Sequence, residues 1–197
     1  MSTSQADHSA NPPHVVIPRV YNAASDLLLR HENRAHKAAY VDALAGDSLS
    51  YGQLHNQAHR FAQGLQDLGF QQEQRVLLCM HDSLHWPVAF LGCILAGVVP
   101  IAVNTLLTAH DYQFMLQDSR AQGLIVSIAL WPTFEGMLHD LVGLKQIIVD
   151  GGDSSTPGMS MADVLNQSSP LETPAHTLAD DVCFWLYSSG STGSPKG

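Results

Sequence analysis

Between Arg75 and Asp150 the chain alternates short, mostly apolar runs with longer segments of helical length. The short runs are Arg75 to Met80, Val98 to Val103, Gly123 to Ser127 and Lys145 to Asp150, each the length of a strand buried on both faces. The longer segments predict helices over Leu84 to Ala96, Ala109 to Ser119 and Pro132 to Leu141. Thr108 is a candidate N-cap for the second, with Asp111 in its first turn, and Pro132 is tolerated in the first turn of the third. Continuously apolar strands alternating with helices predict an α/β fold, a parallel sheet with helices on both faces joined by right-handed crossovers.

The flanking segments follow the same logic. Gly52 to Leu68 predicts a helix stopped by Gly69, with Leu54, Ala58, Phe61, Leu65 and Leu68 forming one apolar stripe. Tyr21 to Arg30 predicts another, with Asn22 as N-cap and Leu27, Leu28 and Leu29 facing inward. Ala39 to Asp42 and Ser48 to Tyr51 predict a hairpin around Ala45-Gly46-Asp47. Met161 to Asn166 predicts a short helix after the polar loop Gly151 to Gly158, and Ser168 to Thr177 a linker. Residues 1–13 are expected to be a disordered tail, leaving 14–197 as the folded portion, without internal repeats.

Composition narrows the partners. Of 197 residues, 45% are hydrophobic and only 14% charged, which is globular rather than disordered. The net charge is −9 and the only lysines are Lys37, Lys145 and Lys196, so duplex nucleic acid is excluded as a partner. Cys79, Cys93 and Cys183 lie far apart in apolar runs with no C-x-x-C pattern, which predicts buried free thiols in a reducing cytoplasm. The N-terminus has no secretory pattern. Trp86 to Val103 is uncharged, but Pro87, Gly97 and Pro100 divide it, so a buried helix and strand fit better than a membrane span.

The most informative stretch is the last. An apolar run, Val182 to Tyr187, is expected as a buried strand and enters Ser188-Ser189-Gly190-Ser191-Thr192-Gly193-Ser194-Pro195-Lys196-Gly197. Gly190 and Gly193 permit a curled backbone with N–H groups facing inward. Ser188, Ser189, Ser191 and Thr192 add hydroxyl donors, and Lys196 a point charge suited to phosphate oxygens. Pro195 before the lysine and Gly197 after it depart from the P-loop pattern and favour strand, loop, strand over strand, loop, helix. A bare Gly/Ser linker is the competing reading. The apolar strand before the loop and the lysine at its end weigh against it.

YSSGSTGSPKG resembles the phosphate-binding signature of the adenylate-forming superfamily, which includes acyl- and aryl-CoA ligases, luciferases and peptide-synthetase adenylation domains. FWLYSSGSTG, with Trp185 where the general pattern prefers a smaller apolar residue, Phe or Tyr, is similar to the benzoate-CoA ligase branch. Leu49 to Met80 and Phe90 to Thr108 resemble two further blocks of that superfamily, and the ending NTLLT is similar to aryl-CoA ligases. The resemblance implies ATP, Mg²⁺ and coenzyme A as cofactor and cosubstrates, and a small carboxylate, benzoate in this branch, as substrate. It implies phosphate binding by Ser188, Ser189, Gly190, Ser191, Thr192, Gly193 and Lys196. It places the carboxylate pocket, adenine site, hinge and catalytic lysine beyond the loop. These residues are therefore expected to be an N-terminal fragment, inactive alone, with no catalytic residue of its own and with loosely held final residues.

Other constellations carry less. His55 and His59, and His81 and His85, are each four apart, but zinc needs three or four ligands and no cysteine cluster accompanies them; solvated or hydrogen-bonded histidines are expected, His55 and His59 on the solvent side of their helix. Asp180-Asp181 reads as a solvated turn. The elbow G-x-S-x-G is absent, so no serine nucleophile is indicated. Trp86, Trp131 and Trp185 are expected in the core. The alternatives to a ligase fragment are another acyl-CoA synthetase of the same superfamily, or a non-catalytic nucleotide-binding or structural α/β module.

Overall fold

The computed structural model describes residues 3–9, 11–153, 155–188 and 196–197. In chain order the elements are β1 (Gln5–Asp7), β2 (His14–Val16), α1 (Ala23–Leu29), β3 (Ala38–Val41), β4 (Ser48–Ser50), α2 (Tyr51–Asp67), β5 (Arg75–Cys79), α3 (His85–Leu95), β6 (Val99–Ala102), α4 (Ala109–Asp118), β7 (Gly123–Ser127), α5 (Trp131–Glu135), β8 (Gln146–Asp150), β9 (Met159–Ser160), α6 (Met161–Gln167) and β10 (Trp185–Leu186). Six strands form one parallel sheet in the order β10-β6-β5-β7-β8-β9. The expected α/β architecture is what the chain adopts.

The two-residue period of a strand divides the core. Val76, Leu78 and Met80 face one side of the sheet, in a cluster with α2, α3 and α6. Leu77 and Cys79 face the other, with Tyr112, Met115 and Leu116 of α4 and Trp131 and Phe134 of α5. Every residue from Val76 to Met80 is buried, which is why the run shows no alternation in sequence.

α2 is held by its ends and its stripe. Ser50 and Gln53 form a capping box, and Gly69, at φ +86, takes the left-handed turn after the last residues. Leu54, Phe61 and Leu65 are buried and together contribute about 5–9 kcal/mol before chain entropy is subtracted. α3 packs tightly on α2 at Gly92, where a Cβ would sit 2.8 Å from Phe61 Cδ1 and 3.0 Å from the Ala58 carbonyl oxygen. Thr108 and Asp111 close a second capping box on α4.

Several expectations need correcting. Leu27 faces solvent while Leu28 is buried, because α1 presents a single stripe. Leu68 is only half-buried. The helix expected over 132–141 ends at Glu135 and resumes as a 3-10 turn over Leu138–Asp140. Its apolar residues Trp131, Phe134 and Met137 recur every three positions, the period of the tighter coil. Residues expected as a disordered tail include β1, which pairs antiparallel with β2; Ser4 beside it donates to Asp26 from its hydroxyl (2.6 Å). Asp26 also accepts from Tyr21 (2.9 Å) and pairs with Arg30 (2.9 Å). Burial raises the carboxyl pKa, but these donors outweigh it and hold Asp26 below the ordinary carboxylate range.

The segment expected as a free linker, 168–177, is fastened along its length. Arg60 donates to the Ser168 carbonyl (2.7 Å), Ser168 donates to Asp67 (3.2 Å), and the Ala175 N–H donates to the Leu95 carbonyl (2.7 Å). His59 makes the central attachment, at Leu171. No helix among the described residues is long and apolar enough to cross a membrane.

Candidate functional site

Open parallel sheets bind ligands outside the carboxyl ends of their strands, near the point where strand order reverses. Here the chain leaves β5 for β6 on one side and then returns for β7 on the other. β10 lies outermost, parallel to β6, with Trp185 opposite Ile101 and Leu186 opposite Ala102. Its carboxyl end therefore points to the ligand-binding edge, and the donor-rich stretch begins there.

The apolar run entering that stretch alternates. Cys183, Trp185 and Tyr187 turn inward, the two rings stacking at 6.0 Å, and the Tyr187 hydroxyl donates to Asp118 on α4 (2.7 Å). Burial, then the Asp118 carboxylate, push the Tyr187 pKa up. Val182, Phe184 and Leu186 face outward and are 64%, 46% and 57% exposed. Within residues 1–197 the run is thus a half-buried strand of two paired residues at the sheet's margin, where a buried strand was expected. Phe184 rests on Phe90 at 5.7 Å, and Phe90 on Trp86 at 5.1 Å.

Ser188 and Lys196 form an antiparallel bridge, with the Ser188 N–H donating to the Lys196 carbonyl (2.8 Å) and the reverse bond at 3.0 Å. This single bridge brings Lys196 back antiparallel beside Ser188; the strand expected after the loop is not among the described elements, and residues 189–195, Pro195 included, lie outside the described residues. Both bridging residues are exposed. Ser189, Gly190, Ser191, Thr192 and Gly193 lie outside the described residues, as does the expectation that this terminus is loosely held. What the described residues provide is a closed loop neck with one lysine at its base, on the sheet edge suited to ligands.

A second polar group lies on the same edge. The His81 N–H donates to Ser127 Oγ (3.0 Å), joining the ends of β5 and β7. His85 Nδ1 lies 2.6 Å from Asp150 Oδ1, and Ser83 Oγ 3.3 Å from Asp150 Oδ2. The Asp150 hydrogen bond raises the His85 pKa against the opposing effect of burial. Sequence reading missed this pair; the available signal was a polar residue closing each of two apolar runs, Ser127 and Asp150.

The histidines of α2 differ from expectation. His59 is buried, not solvated, and His55 stacks on it at 4.3 Å. Burial, followed by the neighbouring His59, lowers the His55 pKa. Among the described residues no group of three or more His, Cys, Asp or Glu side chains is placed to hold a metal ion. Cys79 and Cys93 are buried thiols as expected, whereas Cys183 is half-buried; burial pushes all three pKa values up. Asp181 accepts from the Leu178 N–H and Asp180 pairs with Arg19, so Asp180-Asp181 is a turn.

Residues 29–197 match the family model described as AMP-binding enzyme. Over 197 residues the chain is 46% identical to benzoate–CoA ligase from Thauera aromatica, covering 98% of this chain and 36% of the relative. It is 41% identical to 4-hydroxybenzoate–CoA/benzoate–CoA ligase from Rhodopseudomonas palustris, over 91% of this chain and 33% of that one. A solved benzoate CoA ligase from Burkholderia xenovorans LB400 superposes with a TM-score of 0.79 at 41% identity, over 90% of this chain and 34% of that structure. An anthranilate CoA ligase in complex with anthranoyl-AMP superposes with a TM-score of 0.85 at 32% identity, over 92% and 35%. The chain spans about a third of the length of these relatives.

Proposed function

Because the chain belongs to the AMP-binding enzyme family, we propose that its residues are the N-terminal part of an ATP-dependent aryl-CoA ligase acting on benzoate. The observation that carries this reading is the Ser188–Lys196 neck at the carboxyl end of β10, on the ligand-binding edge of the sheet, in a chain similar to benzoate–CoA ligases.

A carboxylate is a poor electrophile until one of its oxygens becomes part of a good leaving group. In the proposed reaction a benzoate oxygen attacks the α-phosphate of ATP, taken up as its magnesium complex. The bond to the bridging oxygen breaks, and benzoyl-adenylate and pyrophosphate result. The thiol of coenzyme A, losing its proton, then attacks the carbonyl and expels AMP. Negative charge builds on the departing pyrophosphate in the first step, and donors preorganised around it lower the barrier. That role falls to Ser188, Ser189, Gly190, Ser191, Thr192, Gly193 and Lys196, the lysine supplying the full positive charge in a chain of net charge −9.

The relatives are about three times as long as this chain. We therefore expect residues 1–197 alone to be inactive and the full-length polypeptide to be the working enzyme. The two fully buried thiols agree with a reducing cytoplasm. The test is ATP–pyrophosphate exchange by the full-length polypeptide. Exchange that depends on benzoate supports the assignment; exchange only with fatty or amino acids moves it within the superfamily, and no exchange with any acid removes it.

A further inference from the structure

β10 is short and its attachments are few: beside its sheet pairing there are the Tyr187–Asp118 bond and the contact of Phe184 with Phe90. It pairs with β6 over two residues, and within residues 1–197 Val182, Phe184 and Leu186 are partly exposed. Yet the Ser188–Lys196 neck inherits its position from this strand. Within these residues a further attachment upstream can register it.

The segment just before α1 does so. Val20 bridges Leu178 antiparallel, the Tyr21 N–H donates to the Thr177 carbonyl (2.9 Å), and the Ala179 N–H donates to the Arg19 carbonyl (3.0 Å). The Thr177 hydroxyl adds a side-chain bond to the Tyr21 carbonyl (2.6 Å), and Arg19 pairs with Asp180. The next residue, Asn22, is 2% exposed and works in two directions. Its side-chain oxygen accepts from the Ser25 N–H as the cap of α1, and its amide donates to the Ile94 carbonyl in the last turn of α3 (2.7 Å). α3 leads through Gly97, at φ +73, straight into β6, the partner of β10.

The contacts close a ring: β10 to β6, β6 to α3, α3 to Asn22, Tyr21 to Thr177, and Thr177 forward to β10. We propose that residues 19–22 are a strut that positions β10 and the phosphate-binding neck, with Asn22 and Thr177 as positioning residues for nucleotide binding. Neither side chain need touch ATP. The strut sets where Ser188 and Lys196 stand relative to β6, so loosening it weakens the grip on phosphate before it unfolds the sheet. This inference rests on the reading of Ser188 and Lys196 as phosphate-binding.

Thr177 permits a clean test in the full-length polypeptide. Thr177→Val keeps the shape and removes the hydroxyl; Thr177→Ser keeps the hydroxyl. Thr177→Val is expected to raise the KM for ATP about threefold to tenfold, the range of one neutral hydrogen bond, with the KM for benzoate unchanged. It is also expected to speed amide hydrogen exchange at Trp185 to Ser188 while leaving Leu77 and Ile125, in the middle of the sheet, as in the wild type. Thr177→Ser restores both. Arg19→Ala, at an exposed pair, gives the same pattern more weakly and serves if Thr177→Val does not fold. Uniformly faster exchange across the sheet, or unchanged exchange at 185–188, overturns the strut. If the wild type shows no ATP-dependent activity the ligase reading falls, and hydrogen exchange alone still decides whether the strut exists.

Discussion

His59 and Leu171, 112 positions apart, bind each other in both directions: the imidazole Nδ1–H donates to the Leu171 carbonyl (2.7 Å), and the Leu171 N–H donates to the His59 carbonyl (3.0 Å). The acceptor being a carbonyl, Nδ1 must carry the proton. This reciprocal pair fastens the segment leading to β10 onto α2. His59→Ala leaves the buried Leu171 carbonyl without its side-chain donor and is expected to cost about 1–3 kcal/mol. His59→Asn, whose amide can reach the same oxygen, should recover part of it. Urea unfolding checks both; a midpoint for His59→Ala within error of the wild type would mean the imidazole bond contributes nothing.

The same pair marks what a sequence can and cannot disclose. The strands from Val76 to Val149 were legible because burial on both faces forces unbroken apolar runs, and α2 because its stripe repeats every three or four residues. The capping residue Asn22 was legible from its type and place, but its second bond, to Ile94, was not, since nothing local records a partner 72 positions on. His59 was misplaced for that reason: it lies beside the apolar stripe, and only the return of the chain at Leu171 covers it. At the candidate site the motif carried the expectation of phosphate binding by Ser188 and Lys196, and the structure brings these two residues together in one bridge. The motif did not show that the preceding strand sits at the sheet's margin, because an alternating run of large apolar residues looks the same whether one face is covered or both.

The His85–Asp150 pair should make stability depend on pH. Its raised pKa means that folded His85 holds its proton more tightly than the unfolded chain does. The stabilisation is then fully present below the ordinary imidazole value of about 6.5 and is lost as pH rises through the folded value. The ring is 42% exposed, so solvent screening keeps the contribution under about 1 kcal/mol. Comparing wild type with Asp150→Asn by urea unfolding at about pH 5.5 and about pH 8.5 should show the larger difference at the acid end. An equal difference at both would remove the proton from the account.

Gly92 of α3 packs against Ala58 and Phe61 of α2 with no room for a side chain. In an isolated helix Gly→Ala is stabilising by about 1 kcal/mol. Here the new methyl meets Phe61 at 2.8 Å and the Ala58 carbonyl at 3.0 Å, and the backbone oxygen cannot swing aside. Overpacking of this kind costs about 1–3 kcal/mol and should prevail. Gly92→Ala is therefore expected to lower the melting temperature; a rise would show that the two helices separate freely.

Lys196 carries the sharpest functional prediction. It supplies the only full positive charge within the donor-rich stretch from Ser188 to Gly197, and a two-hydrogen-bond bridge holds its backbone against Ser188. A charged hydrogen bond to phosphate is worth about 1.5–3 kcal/mol, which corresponds to roughly a 10- to 150-fold change in binding. In the full-length polypeptide, Lys196→Ala should weaken ATP binding by that factor without changing thermal stability, because the side chain is exposed and its backbone bonds survive the substitution. Lys196→Arg keeps the charge but replaces a compact ammonium by a planar fork, and should recover only part of the loss. The same affinity for ATP in all three proteins, measured by calorimetry in magnesium buffer, would show that the lysine does not touch the nucleotide and that the loop's glycines and hydroxyls carry whatever binding there is.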